Sequence, residues 1–307
     1  MTASLVLGQA LNGVQFGLML FLMSAGLTLV FGIMNMINLA HGALYMIGAY
    51  VCAWVVVVTG SFVLGVAAAL VASLAVGVLI EVAVFRTLYA REHLDQVLAT
   101  FALVLFFNEI VRVLWGPASL FTSLPGFLSG QVVIPPGIVY PTYRLVIIAV
   151  GLIVAAGLYV VIGHTRLGML IRAGASNRAM VAALGVNISL LYTLVFGIGA
   201  VLAGLAGLMA GPVSSVESGM GENVLILAFV VIVIGGMGSI RGAFIGSLLI
   251  GIVDTMGRAT LQPLLATVFS PQAAANAGPA LASMLIYLLM AAVLSLRPQG
   301  LFPPQTR

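Results

Sequence analysis

The sequence predicts an all-α integral membrane protein: a polytopic bundle of about eight or nine transmembrane helices, some of them interrupted. Three observations predict it. Of the 307 residues, 63% are hydrophobic and only 6% charged, where a soluble domain carries about 25% charged residues. Mean hydropathy is +1.27. No Asp, Glu, Lys or Arg occurs before Glu81. No charged or Pro/Ser-rich linker divides residues 1–307, so one domain is expected. The opening MTASLVLGQA lacks the positive n-region of a cleavable signal peptide.

A helix that crosses a bilayer needs about 20 mostly apolar residues. That ruler places spans near 9–33, 42–58, 62–85, 97–114, 144–163, 191–211, 223–236, 243–262 and 281–296. The polar break at 34–41 and the short run at 223–236 suggest discontinuous helices. Orientation follows from arginine, because cytoplasmic loops collect positive charge. Arg86, Arg91, Arg166, Arg172, Arg178, Arg241, Arg297 and Arg307 fall on one side. Arg112, Arg144 and Arg258 fall near span ends on the other. The first side is expected to be cytoplasmic. With nine spans, the C-terminus is then inside and the N-terminus periplasmic.

All eleven basic residues are arginine. A Walker A loop needs a Lys to reach the phosphates, so a chain without one holds no normal ATP site. The formal charge of +4 belongs to membrane-protein loops. No basic patch is interleaved with aromatics, and nucleic acid is not implied. The single Cys52 excludes an internal disulfide or a multi-cysteine metal site. His41, His93 and His164 are scattered without metal-ligand spacing. No metal and no cofactor are expected.

The first stretch with chemistry is Asn35-Met-Ile-Asn38-Leu-Ala-His41-Gly42. Two amides and an imidazole at i, i+3, i+6 are costly against lipid. They line a pathway, or they form an interhelical hydrogen-bond cluster where a helix breaks. A related pattern returns at Gly235, Gly236, Gly238, Ser239, Arg241 and Gly242. HGALYMIG and RGAFIG align if two residues are dropped, which suggests an internal repeat. Transporters build midplane sites from such interrupted helices. Asn35, Asn38, His41, Gly42, Gly235, Gly236, Gly238 and Ser239 are therefore the candidate substrate-pathway residues.

The second stretch is RAGASNRAMVAALGVN, residues 172–187, basic and Ala-rich between apolar runs. Ser176 is expected to cap a two-turn helix over Asn177–Leu184, with Gly185 ending it in the left-handed conformation. Ser176, Ala179, Met180, Ala183 and Leu184 share one face of that helix. The helix either lies on lipid headgroups, its arginines meeting phosphates, or docks on another protein. Its small side chains favour docking. Arg172, Ser176, Asn177, Arg178, Ala179, Ala182, Ala183 and Gly185 are the candidate contacts.

The span at 191–211 carries small residues in two rows, one of Ala200, Gly204, Gly207 and Gly211 and one of Gly199, Ala203, Ala206 and Ala210. Such rows let membrane helices pack closely. Glu109 and Arg112, at i, i+3, are expected to form a local ion pair. Asp254, inside an apolar span, must be partnered, protonated or wet. Glu217 and Glu222 are expected in a short periplasmic loop, where they would be solvated or would meet a binding protein.

The segment from Arg172 to Gly207 resembles the cytoplasmic coupling loop of ABC-importer permeases with the helix that follows it. GIMNMINLAHGALYMIGAY (32–50) and GGMGSIRGAFIGSLLIGI (235–252) resemble signatures of the branched-chain amino acid permease family, in its LivH-like half. RPQGLF is similar to that family's ending. The chain departs from the family's usual pattern at Ser176–Asn177–Arg178, where an acid is common, and at Arg241. The resemblance implies a multi-pass permease of the bacterial inner membrane that is not itself an enzyme. It implies import of branched-chain or related small amino acids, amides or urea. It also implies a second, related permease chain, two cytoplasmic ATP-binding subunits and a periplasmic substrate-binding protein. The loop 166–187 would be the ATPase contact. The residues alone leave open a proton-coupled carrier using Asp254 and a membrane-embedded enzyme.

Overall fold

The computed structural model describes residues 3–135 and 137–302. Arg307, one of the arginines that set the expected orientation, lies outside the described residues. Among these residues eight helices are long and apolar enough to cross a membrane. They are α1 (Ala3–Met34), α2 (His41–Thr59), α3 (Phe62–Ile80) with its continuation, α5 (His93–Trp115), α6 (Thr142–His164), α9 (Ile188–Ala210), α11 (Ile240–Leu265) and α12 (Pro271–Leu296). A ninth, α10 (Met220–Gly235), is shorter. At 1.5 Å per residue its sixteen residues reach about 24 Å.

Every expected span is found, with ends displaced by a few residues. The last one begins ten residues earlier than expected, at Pro271. Its first turns are Ala-rich and too polar for a hydropathy ruler, yet they form a good helix. Ser270 caps it by accepting from Ala273 N, and Pro271 follows at the first helical position. Three features were beyond that ruler. Helix α3 runs into a π-helical turn, Glu81–Phe85, and then α4 (Arg86–Leu88). Strands β1 (Gln131–Ile134) and β2 (Ile138–Pro141) pair antiparallel before α6. Residues 166–187 hold two helices, α7 (Arg166–Ser176) and α8 (Arg178–Ala183).

Helices α1, α2 and α9 are the most enclosed, and α5, α6 and α12 the most exposed. The inner contacts are made by small residues, as membrane packing favours. A Cβ on Gly204 would strike Ser73, one on Gly207 would strike the Tyr45 carbonyl, and one on Gly77 would strike Ala200. The small rows of α9 thus seat α2 and α3 directly against its backbone. Gly13 and Gly17 of α1 meet Gly251 of α11 in the same way.

The path of residues 35–41 decides where the polar cluster sits. A Cβ on Gly32 would lie 3.4 Å from Gly238 Cα, beyond the C-terminal end of α10. Gly42, ten residues later, abuts Gly221 at the opposite end of α10. His41 stands beside Gly26, whose Cβ would lie 2.9 Å from its Nε2. Gly26 is eight residues back along α1, or about 12 Å. The chain therefore turns at Asn35 and re-enters the bundle beside α1 before α2 begins.

Candidate transport and coupling sites

Asn35 makes the turn. Its φ of 52° is the one positive value among the described non-glycine residues, and Asn tolerates the left-handed region through its short polar side chain. Asn35 is exposed, whereas Asn38 and His41 are fully buried. Neither polar atom of the Asn38 amide and neither imidazole nitrogen of His41 has a hydrogen-bond partner. The Met23 backbone faces the imidazole without reaching full hydrogen-bond geometry.

The second break has a different character. Gly236 and Gly238 adopt φ of 104° and 83°, which a side chain would strain. Ser239 caps α11 by accepting from Gly242 N across 3.1 Å. The carbonyls of Ile234 and Gly235, freed by the end of α10, accept from Leu301 N (2.8 Å) and Phe302 N (2.9 Å). The GGMGS and RPQGLF motifs are thus two halves of one backbone lock, a pairing invisible in either motif alone.

The suggested repeat has a geometric counterpart. Gly42, at the start of α2, closes on Gly221, and Gly242, at the start of α11, closes on Gly235. The two matching glycines clamp opposite ends of α10. The two breaks approach each other where Gly32 meets Gly238. Two clefts flank α10. One, of about 320 Å³, holds Asp254, Arg258, Asn223, Ser283 and Tyr287. The other, of about 510 Å³, holds Asn108, Glu109, Arg112, Ser218 and Glu222.

In residues 166–187, α7 extends through Ser176, so the cap of α8 is Asn177 rather than the expected Ser176. Asn177 is extended, and its Oδ1 accepts from Met180 N at 3.0 Å. Its side chain caps at least as well as serine, and Ser176 still has helical partners upstream. Gly185 has φ of 86° with open space around it, as expected for a left-handed helix end. Val181 points inward, while Ala179, Met180, Ala182, Ala183 and Leu184 are exposed. Arg178 is exposed too, and Arg172 donates to the Ile162 carbonyl at the end of α6. Buried Gly174 of α7 rests on Ile33 of α1 and Leu191 of α9.

Four of the seven acids have side-chain partners. Glu109 pairs with Arg112 at 3.0 Å, as expected. Asp254 pairs with Arg258 at 2.9 Å, and Arg258 also reaches Ser283. Glu222 is not a loop residue. It belongs to the first turn of α10, where an acid complements the helix dipole, and it accepts from Asn108. A further cluster escaped the sequence. Fully buried Glu81 accepts from Tyr89 Oη (3.1 Å) and Thr193 Oγ1 (2.6 Å) and faces Arg86 at 3.5 Å. The only signal for it was a lone acid deep in an apolar run.

Comparison with known proteins adds to this geometry. The family model described as "Branched-chain amino acid transport system / permease component" matches residues 9–294. The chain is 32% identical to the high-affinity branched-chain amino acid transport system permease protein BraD of Pseudomonas aeruginosa, over 82% of this chain and 86% of that protein. It is 32% identical to the corresponding permease protein LivH of Escherichia coli K12, over 83% of this chain and 87% of LivH. It is 28% identical to the ribose import permease protein RbsC of Escherichia coli K12, over 76% and 72% of the two chains. No solved structure matches significantly.

Proposed function

Since the chain belongs to the family of branched-chain amino acid transport-system permease components, and so is the membrane subunit of an ABC importer, we propose how it couples to its partners and what it carries. It is a multi-pass inner-membrane protein and not itself an enzyme. The partners proposed are two cytoplasmic ATP-binding subunits, a periplasmic substrate-binding protein and a second, related permease chain. The cargo proposed is a branched-chain or related small amino acid, amide or urea. The names of BraD and LivH support the amino acid; that of RbsC marks how widely cargo varies on this scaffold.

The observation that carries the coupling is the outward face of α8. Five of its neighbouring side chains are exposed while Val181 alone anchors it inward. An ATPase seated there would move α8 with α7. Gly174 would pass the motion to Ile33 at the end of α1, two residues before Asn35. The re-entrant segment with Asn38 and His41 then shifts against α10. Helices and packed glycine contacts transmit such displacements as rigid parts. On this proposal Asn35, Asn38, His41, Gly42 and the 235–239 break border the route when α10 moves. The unpartnered buried amide and imidazole support it, since each such group costs about 1–3 kcal/mol at rest. The periplasmic N-terminus and cytoplasmic C-terminus are part of the same proposal.

The test is ATPase copurification and cargo uptake in variants that enlarge the α8 face. Ala182→Phe and Ala183→Phe are expected to insert normally, bind ATPase poorly and fail to transport. Normal copurification and uptake in both would overturn the coupling site and favour a headgroup helix. The match to transport-system permease components, rather than the Asp254–Arg258 pair, is what favours this reading over a proton-coupled carrier using Asp254.

A further inference from the structure

Four acids or arginines lie more than one turn inside a membrane-spanning helix among the described residues: Glu81, Glu109, Asp254 and Arg258. Glu81 is fully buried and its partners lie inside the chain. The other three open onto the clefts that flank α10. The side chains of Glu109 and Arg258 are 67% and 48% exposed. Glu222 and Arg112 join them on the same side of the molecule. By contrast, α6 carries no charged residue between Arg144 and His164, and its outward residues, such as Ile153 at 70% exposure, are apolar.

A hydrocarbon surround suits α6 and does not suit this face, because lipid tails solvate neither carboxylate nor guanidinium. Asp254 lies fourteen residues from one end of α11 and eleven from the other. At 1.5 Å per residue it is about 16 Å from the nearer end of that helix. A subunit docked at the ends of the helices would leave the middle of this face uncovered, whereas a chain packed along α10 and α11 would cover it.

We infer that the outward face of α10 with its two flanking clefts is the surface against which the second permease chain seats, leaving the route between the chains. This rests on the importer assignment above and names the face that the partner uses. The face offers acids at 109, 222 and 254 and arginines at 112 and 258. Both signs interspersed make it complementary to a related chain carrying the same pattern about a twofold axis. The short α10, clamped at Gly221 and Gly235, then stands between that route and the buried Asn38 and His41.

The experiment uses the complete importer in native membranes, with a benzophenone amino acid replacing Ile226, an exposed α10 residue that lines the first cleft. The same replacement at Leu105, across the second cleft, guards against a folding defect at one site. Ile153 on α6 is the reference position. Irradiation is expected to join two permease chains from positions 226 and 105 and to give only lipid adducts from 153. Lipid adducts or no permease product at both 226 and 105 would overturn the assignment, as would a permease product from 153 alone. ATPase copurification and uptake by the same preparations report separately on the importer assignment.

Discussion

The Thr193 hydroxyl donates to the Glu81 carboxylate across 2.6 Å, tying the π-helical turn after α3 to the start of α9. Arg86 reaches both partners, donating to Thr193 Oγ1 at 3.1 Å and facing Glu81 at 3.5 Å. The carboxylate is fully enclosed while Arg86 is 43% exposed, so the two contacts are unequal. Thr193→Val leaves a buried acceptor short of a donor, at about 1–3 kcal/mol. Arg86→Gln weakens a solvent-screened pair, at about 0–1 kcal/mol. Thermal unfolding of the purified protein is expected to show the larger loss for Thr193→Val; the reverse order would show that Arg86 is the main partner.

Gly185 stands in open space with φ of 86°, so a side chain there meets no neighbour and pays only in backbone strain. That strain is about 1–2 kcal/mol, more for a β-branched residue. Gly185→Val is expected to insert at near-wild-type level, because the spans do not depend on it, and to lose ATPase copurification. Gly185→Asn, which tolerates the same φ, is expected to restore most of it. Equal behaviour of the two variants would remove the helix end from the coupling mechanism.

Asn38 separates two roles. An amide that glued helices together would be missed by the fold, yet Asn38 has no hydrogen-bond partner within the chain. Asn38→Leu is therefore expected to leave thermal stability unchanged or raised, since an unpartnered buried amide gives way to a similar apolar volume. Uptake is expected to fall at least tenfold. Lost stability would mark Asn38 as structural, and normal uptake would place it off the route.

The backbone contact between α9 and α2 leaves no room for a methyl group. A Cβ on Gly207 would overlap the Tyr45 carbonyl oxygen. Gly207→Ala is expected to lower the yield of folded protein sharply, with overpacking of about 1–3 kcal/mol. Gly157, on the exposed side of α6 with nothing near it, is the control. Gly157→Ala is expected to be neutral in the same expression assay.

Orientation is checked by labelling. With Cys52 replaced by Ala, Ser129→Cys in the loop before β1 is expected to react with a membrane-impermeant thiol reagent in intact cells. Ser176→Cys is expected to react only after permeabilisation. Reversed labelling would invert the topology and move α8 away from any cytoplasmic ATPase.

Legibility followed the range of the forces involved. The apolar runs located the crossing helices because a bilayer demands internal hydrogen bonding within each segment. Gly185 and the small rows of α9 were legible for a similar reason, each being a local steric requirement. The cap at Asn177 was missed by one residue because Ser and Asn stand side by side and cap about equally well. The helical character of α7 was hidden by its short length and mixed polarity. Two features needed partners distant in sequence. Glu81 finds Thr193 112 residues away, and Gly235 finds Phe302 67 positions on. The re-entrant course of residues 35–41 depends on α10, far downstream, and no local pattern foretold it.

The lock between residues 234–235 and 301–302 also sets a clock on biosynthesis. The turn joining α10 to α11 emerges with two backbone carbonyls whose donors have not yet been made. At about 5–20 residues per second, synthesis of the intervening 67 residues takes roughly 3–13 s. Throughout that interval water or the insertion machinery must satisfy both carbonyls, and α12 must cross the membrane before its own tail can finish a turn begun two helices earlier.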